Sequence, residues 1–325
     1  MSLDVSMSPD ATTKWQPAPA RLDEPTTAVE DLYVIGHFGI AHVDADAWRL
    51  HVGGAVERPL ELSLADLHAM PTVQVQAVLE CFGNPLLPDE PTRRAGNVVW
   101  TGVAVRTVLD EAGVRDGDLL WAEGHDHGVF DGVPCTEYRK DLPLDVVRER
   151  GVLAHAMNGE PLTAEHGFPV RLFVPGYFGT NNVKWLRALT VADHRPDHLF
   201  TTTLYQRSVP GSTTLAPVRD LDVISLVTAA RRDGPRAHVR GWAWGSAPVT
   251  RVEVGLGTDG PEEWVDATLG EPVGGPFGWR RFEAFPTAGP EARVVAARAH
   301  DAAGRSQPLG GARNACHVVA LDQEP

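Results

Sequence analysis

From about residue 210 to its C-terminus the chain contains no segment that reads as a helix. "RAHVRGWAWG", "TRVEVGLG", "WRRFEAF", "ARVVAARAHD" and "ACHVVAL" follow one another as short strand-like runs separated by Gly, Pro and Asp turns. Strands spaced in this way have few means of burying their apolar faces, and a β-sandwich over residues 211–325 is the expected one. Trp242, Trp244, Trp264 and Trp279 are expected to pack inside it, as large aromatics commonly do. The boundary with the preceding region is expected within "SVPGSTTLAPVRD".

Upstream the texture is mixed. "WRLHVGG" alternates and ends on a glycine pair, as a strand and turn would, and "VQVQAVLEC" reads as a second strand with Val73, Val75 and Ala77 on one face. "SLADLHAM" reads as a short helix with Ser63 at the N-cap and Asp66 three residues on. "VAVRTVLDEAGV" has apolar residues at helical spacing and Gly113 placed to end the helix. Further runs, "LLWAEG", "VRLFVPG" and "LRALTV", alternate with the helical "PLDVVRER". Residues 26–210 are therefore expected to form an α+β domain. Residues 1–25, rich in Pro, Ala, Ser and Thr without periodicity, read as a flexible arm, draped over the surface or disordered.

A length of 325 residues suits two domains. Hydrophobic residues make up 43% of the chain, yet no apolar run approaches the ~18 residues that a membrane span needs. A net charge of −14, from 29 basic and 43 acidic residues, argues against nucleic acid as a partner but leaves room for a small anion in a local basic pocket. Cys81, Cys135 and Cys316 are odd in number and far apart, so they make no disulfide framework, and Cys135 and Cys316 read as buried packing residues. The N-terminal residues show neither a secretory pattern nor a twin-arginine pair, so as given the chain reads as cytoplasmic.

Cys81 ends the strand "VQVQAVLEC" and begins a loop, "CFGNP", where scaffolds present reactive side chains. On its own it reads equally as a small buried hydrophobe. The stretch "MNGEPLTAEHGFPVRLFVPGYFGTNNVKWLRALTV", residues 157–191, sets His166, Arg171 and Lys184 among Gly167, Gly176 and Gly179. Cationic donors beside backbone that permits close approach suit a phosphate-bearing cofactor, and equally a solvated charged edge.

At these two stretches the sequence resembles the sulfite oxidase family of molybdopterin enzymes. "LECFGN" is similar to the family's C-x-G-N loop, whose cysteine is the protein ligand to molybdenum, which implies that role for Cys81, with Phe82, Gly83 and Asn84 around it. "AGNVVWTGVAV" resembles the G-N-x-x-W-x-G segment, and "MNGEPL", "HGFPVR" and "VKWL" match further signatures in order. "YVIGH" resembles an early cofactor-pocket segment, with His37 its histidine. The resemblance implies a molybdopterin cofactor whose phosphate is met by Arg171, Lys184 and His166, with Gly179 close by and Asn181 and Asn182 adding neutral donors. Thiolate suits such a soft metal centre. Tyr138, five residues before Pro143, is similar to the family's active-site tyrosine; packing beneath a loop is its other reading. The C-terminal runs resemble the family's immunoglobulin-like dimerisation domain, which implies a homodimer. Together these imply a two-electron oxygen-atom transfer on a small substrate.

The sequence departs from the sulfite-oxidising pattern at Ile35, Pro85 and Leu86, where arginines are expected. An oxyanion left without partners in a desolvated pocket costs several kcal/mol, so a less charged substrate than sulfite is expected unless Arg93 and Arg94 restore the charge. No haem-attachment motif is present, so electrons are expected to leave to an external acceptor. His125 and His127 in "GHDHG" are a weak zinc-like pair, or line the pocket mouth, and a zinc hydrolase is one competing reading. A binding protein on a degenerate catalytic fold is the other.

Overall fold

A computed structural model describes residues 6–7, 14–85, 90, 92–209 and 211–321. They fall into two compact units: residues 1–15, 34–75 and 99–219 in the first, and residues 16–33, 76–98 and 220–325 in the second. The division is thus not one cut in the chain. Gln16 to Tyr33, part of which reads in sequence as a flexible arm, is packed: Leu22 is fully buried in the second unit, and Asp23 there pairs with Arg240 at 2.7 Å and Arg281 at 3.0 Å.

The first unit holds a five-stranded sheet in the spatial order Arg139–Pro143, Leu119–Gly124, Leu186–Ala192, Leu50–Gly54, Leu60–Leu62. Leu186–Ala192 runs parallel to Leu50–Gly54 and antiparallel to Leu119–Gly124. A second sheet has the order Glu160–Pro161, Val152–Met157, Ala95–Ala104, Thr72–Glu80. Leu64–Ala69 begins as expected, with Ser63 and Asp66 forming a reciprocal capping box. Val105–Ala112 ends at Gly113, whose φ of +71° is the left-handed conformation that stops a helix cheaply only at glycine. The apolar face of that helix (Val105, Val108, Leu109) joins Trp48, Leu120, Trp185 and Leu189 in one buried core.

In the second unit, residues 220–321 form two four-stranded antiparallel sheets, as the succession of strand-like runs predicts. One runs Ile224–Asp233, Arg236–Trp244, Arg280–Ala284, Thr268–Pro272, and the other Glu263–Asp266, Val249–Gly257, Val294–Asp301, Val318–Ala320. Val227, Val239, Val252, Val254, Phe282 and Val295 share the core between them. The tryptophans are not in that core. Trp242, Trp244 and Trp279 are fully buried against the N-terminal segments of the same unit: their indole N–H groups donate to the Leu22 carbonyl, the Glu80 carboxylate and the Pro25 carbonyl. Strand alternation explains this, because Ala237, Val239 and Ala243 face the core and Trp242 and Trp244 face the other way. Trp264 is half-buried. No helix among the described residues is long and apolar enough to cross a membrane.

Candidate functional site

In the second unit, Cys81 stands where the strand Thr72–Glu80 gives way to the turn Cys81–Pro85, half-buried and with a free thiol. The Gly83 N–H points at its Sγ at 3.4 Å, and its own N–H donates to the Arg94 carbonyl at 2.9 Å. Asn84 closes the turn: its Oδ1 accepts from the Arg94 N–H at 2.6 Å and its Nδ2 donates to Glu80 Oε1 at 3.3 Å. Arg313 spans the turn, donating to the Asn84 carbonyl at 3.0 Å, pairing with Glu80 at 3.6 Å and standing over the Phe82 ring at 5.2 Å. Burial pushes the Cys81 thiol up, with the Gly83 N–H and Arg94 opposing. A thiol so placed holds its proton until a cation displaces it.

Arg94 is tied into its turn, whereas Arg93 keeps its charge: its Nη2 is buried with no hydrogen-bond partner among the described residues. Arg94 donates to the Gly83 carbonyl and to Gln16 and lies 3.6 Å from Glu90, while Arg93 donates to the carbonyls of Glu90 and Thr92. Both are buried, and burial brings the Arg93 guanidinium down to about 10. Arg94 thus braces the turn Cys81–Pro85 through the Gly83 carbonyl. Leu86 lies outside the described residues.

The first unit gathers the expected phosphate-binding residues. Arg171 donates to the carbonyls of His166 at 3.1 Å and Asn182 at 2.9 Å, with its guanidinium 5.0 Å from the Trp100 ring centre. Lys184 Nζ donates to the carbonyls of Ile35 and Glu165, both at 2.9 Å. Burial, reinforced by the Arg171 guanidinium, pushes the Lys184 ammonium down, and the Asp126 carboxylate opposes it. Gly167 allows this approach: its φ is +105° and a Cβ there would meet Lys184 Cβ at 3.0 Å. Gly179 opens the short turn Gly179–Asn181. Asn181 and Asn182 do not contribute free amides, contrary to expectation. Asn181 Nδ2 donates to the carbonyls of Phe178 and Val218, and Asn182 binds the Val174 N–H and the Tyr177 carbonyl, so both build the turn itself.

Beside this lies an aromatic cluster in the same unit. His37 stacks on Tyr138 with ring centres 5.2 Å apart, and its Nε2 lies 2.6 Å from the hydroxyl of Tyr205. Phe130 and Phe200 pack edge-on to the imidazole at 5.1 and 4.8 Å. Tyr138 is 6% exposed, and its hydroxyl donates to the Thr180 carbonyl at 2.7 Å. The tyrosine singled out in sequence stacks on His37, and Tyr205 presents its hydroxyl to the imidazole. No local motif marks Tyr205; its φ of +56°, unusual for a non-glycine residue, is visible only in three dimensions.

His125 and His127 do not form a matched pair: His125 is half-buried, His127 is exposed and Asp126 between them is buried. Burial lowers the His125 imidazole to about 4, with Arg187 contributing. Among the described residues no group of three or more His, Cys, Asp or Glu is placed to hold a metal ion. Cys316 is buried as expected, and Cys135 is half-buried in the hairpin strand Val133–Cys135.

Each unit, taken by itself, holds residues that suit one part of a molybdopterin. Cys81 supplies the soft sulfur such a metal takes, in a turn fixed at both ends. Arg171 and Lys184 lie near enough to depress the lysine's proton affinity, a repulsion that a bound phosphate would relieve.

Residues 37–200 match the family model described as the oxidoreductase molybdopterin-binding domain. Mitochondrial sulfite oxidase of Rattus norvegicus is 31% identical over 283 residues, 78% of this chain and 51% of the rat protein. The chain thus spans about half the length of the mammalian relatives it matches. Sulfite oxidase of Gallus gallus is 30% identical, over 87% of this chain and 68% of its own length. The crystal structure of the sulfane dehydrogenase SoxCD from Paracoccus pantotrophus superposes with a TM-score of 0.79 and 27% identity, covering 93% of this chain and 79% of that one.

Proposed function

The chain belongs to the sulfite oxidase family of molybdopterin-dependent oxidoreductases, and from that membership we propose that it carries out a two-electron oxygen-atom transfer on a small reduced-sulfur substrate. Electrons pass to a separate acceptor. The observation that carries this reading is the Cys81 turn, in which Glu80, Asn84, Arg94 and Arg313 hold one free thiol in a fixed place.

When bound, molybdenum supplies the two-electron couple and the oxygen-atom exchange that no side chain can provide. Cys81 is the ligand that holds the metal, with Phe82, Gly83 and Asn84 shaping its turn. Arg171 and Lys184 bind the anionic end of the pterin, and the His166 carbonyl orients Arg171. Gly179, Asn181 and Asn182 build the turn that places the carbonyl receiving Arg171. Tyr205 and His37 form the proton-handling pair, able to take or return a proton at the phenol oxygen or Nε2. Tyr138, Phe130 and Phe200 keep water from that pair.

The substrate is proposed to be less charged than sulfite. Arg94 is taken up by the Gly83 carbonyl, Gln16 and Glu90, so with Ile35 and Pro85 apolar only Arg93 is left to meet an anion, one charge against the two of sulfite. A sulfane sulfur or a thioether suits that lining better than a dianion. The two facing sheets of residues 220–321 are proposed to be immunoglobulin-like and to mediate a homodimer.

Metal and pterin analysis of purified protein, followed by steady-state assays with ferricyanide as acceptor, tests the proposal. One molybdenum per chain is expected, with faster turnover of a sulfane substrate than of sulfite. Zinc in place of molybdenum would sink the function, and tight, fast sulfite oxidation would sink the substrate preference alone.

A further inference from the structure

Lys140, in the strand Arg139–Pro143, is 1% exposed. Its Nζ donates to the Phe200 carbonyl at 2.6 Å and stands 5.3 Å from the centre of the Tyr205 ring. A carbonyl and a ring face solvate an ammonium without neutralising it. The carboxylate that acts on it, Asp141, is bonded to Arg195 at 2.8 Å and Arg219 at 3.1 Å. Filling space does not call for a lysine here, since methionine has a similar volume without the cost of burying charge.

What Lys140 touches is the support of Tyr205. The Phe200 carbonyl belongs to the π-helical turn Leu199–Thr203, and two residues later the chain enters the left-handed region at Tyr205. That conformation costs about 1 kcal/mol or more, and it persists only where the surroundings over-determine it. The Tyr205 carbonyl accepts from the Val218 N–H at 2.8 Å, its hydroxyl meets His37 and its ring lies beneath Lys140.

We propose that Lys140 is a positioning residue for the Tyr205–His37 pair: its ammonium pins the turn that delivers Tyr205, and its charge by the ring favours passage of the phenolic proton to His37 Nε2. The inference rests on the proton-handling reading of that pair. In the step the Tyr205 O–H bond breaks, an N–H bond forms on His37, and phenolate and imidazolium result; Lys140 exchanges no proton and stabilises the phenolate. The charged groups facing Lys140 are Asp141 on its own strand, Arg195 after the strand Leu186–Ala192, and Arg219. Ala122 lies opposite it on the neighbouring strand, and the turns Gly179–Asn181 and Leu199–Thr203 carry no charged residue. Burial lowers the Lys140 ammonium to about 7, with Asp141 opposing and the two arginines reinforcing, so its effect on Tyr205 fades as pH rises through neutrality.

The chain has four tyrosines, few enough for 13Cζ-tyrosine NMR of the cofactor-loaded full-length protein, with Tyr205→Phe assigning the resonance. The Tyr205 signal is expected to inflect near pH 7 as Lys140 loses its charge, and again at its own ionisation. Lys140→Met should remove the first inflection and leave the second in place, because Lys140 is already uncharged where the phenol ionises. Lys140→Arg, charged throughout, should remove the first and lower the second by about one pH unit, the scale expected of one nearby charge; it also serves if the methionine variant does not fold. An inflection near pH 7 that survives in Lys140→Arg belongs to another group and overturns the inference, as does a phenol ionisation that Lys140→Arg leaves where the wild type has it. If Tyr205→Phe leaves turnover intact while the titrations behave as expected, the proton-handling reading fails and the Lys140–Tyr205 coupling stands. If Tyr205→Phe collapses turnover and Lys140→Met moves nothing, the inference alone fails.

Discussion

The two compact units treat buried charge differently. Within the facing sheets of the second unit, from Asp220 onward, Asp301 is the one buried ionisable carboxyl or base among the described residues, and Arg305 answers it at 2.7 Å. The rest of that core is aliphatic with one Phe. In the first unit, Asp126, Glu137, Lys140, Asp141, His166 and Arg171 are all buried. The second unit's other buried charges, Glu80, Arg93 and Arg94, sit on the segment that carries Cys81. Burying charge is expensive, so a chain confines it to places where something besides packing needs it. Its distribution separates scaffold from site more sharply than strand or helix content does.

Four changes test that separation. Cys81→Ser should have the largest effect: turnover falls below detection, because a neutral hydroxyl is a poor replacement for thiolate, and molybdenum measured by mass spectrometry falls with it. Full activity in this variant would overturn the assignment. Lys184→Met should come next, weakening retention of the pterin by about 10- to 100-fold, read as cofactor remaining after gel filtration, with the melting of the second unit unaltered.

The third change concerns stability. Burial raises the Glu80 carboxyl to about 7, with Arg313 and the Trp244 N–H opposing, whereas the unfolded chain ionises it near 4.5. Between those values the unfolded state has lost the proton that the folded state keeps. Folding stability from this group is therefore greatest at low pH, declines as pH rises from about 4.5 to about 7 and is flat beyond, by about 3 kcal/mol in all. Glu80→Gln should flatten that slope in urea denaturation at pH 5 and pH 8, and an unchanged slope would show that Glu80 is not buried as described. The smallest effect belongs to Ser63→Ala. It removes a surface cap far in sequence from any buried charge and should cost about 1 kcal/mol in the same assay without altering cofactor content.

Local order was legible wherever chemistry acts over a few residues. The capping box at Ser63 and Asp66, the glycine stop at Gly113 and the strand-only character of the C-terminal third all follow from neighbours in sequence. Cys81, Arg171 and Lys184 stand out in the sequence through the motifs around them, not through any contact they make. Other features joined residues far apart. Glu80 meets Trp244 across 164 positions, His37 meets Tyr205 across 168, and Trp242 reaches back 220 to Leu22. No periodicity encodes such partners, which is why the contact of Tyr205 with His37 has no signal in the sequence.

The amino-acid sequence by itself determined the elements, the strand-rich C-terminal third and the family, since propensity, capping and motif spacing are short-range. Only the tertiary structure decided how the charges are used. It directed Arg94 inward to close the Cys81 turn, turned Asn181 and Asn182 into supports and placed Lys140 by Tyr205. Hydrogen bonds are satisfied at about 3 Å, whatever the separation along the chain, so which donor meets which acceptor is settled only when the chain has closed on itself.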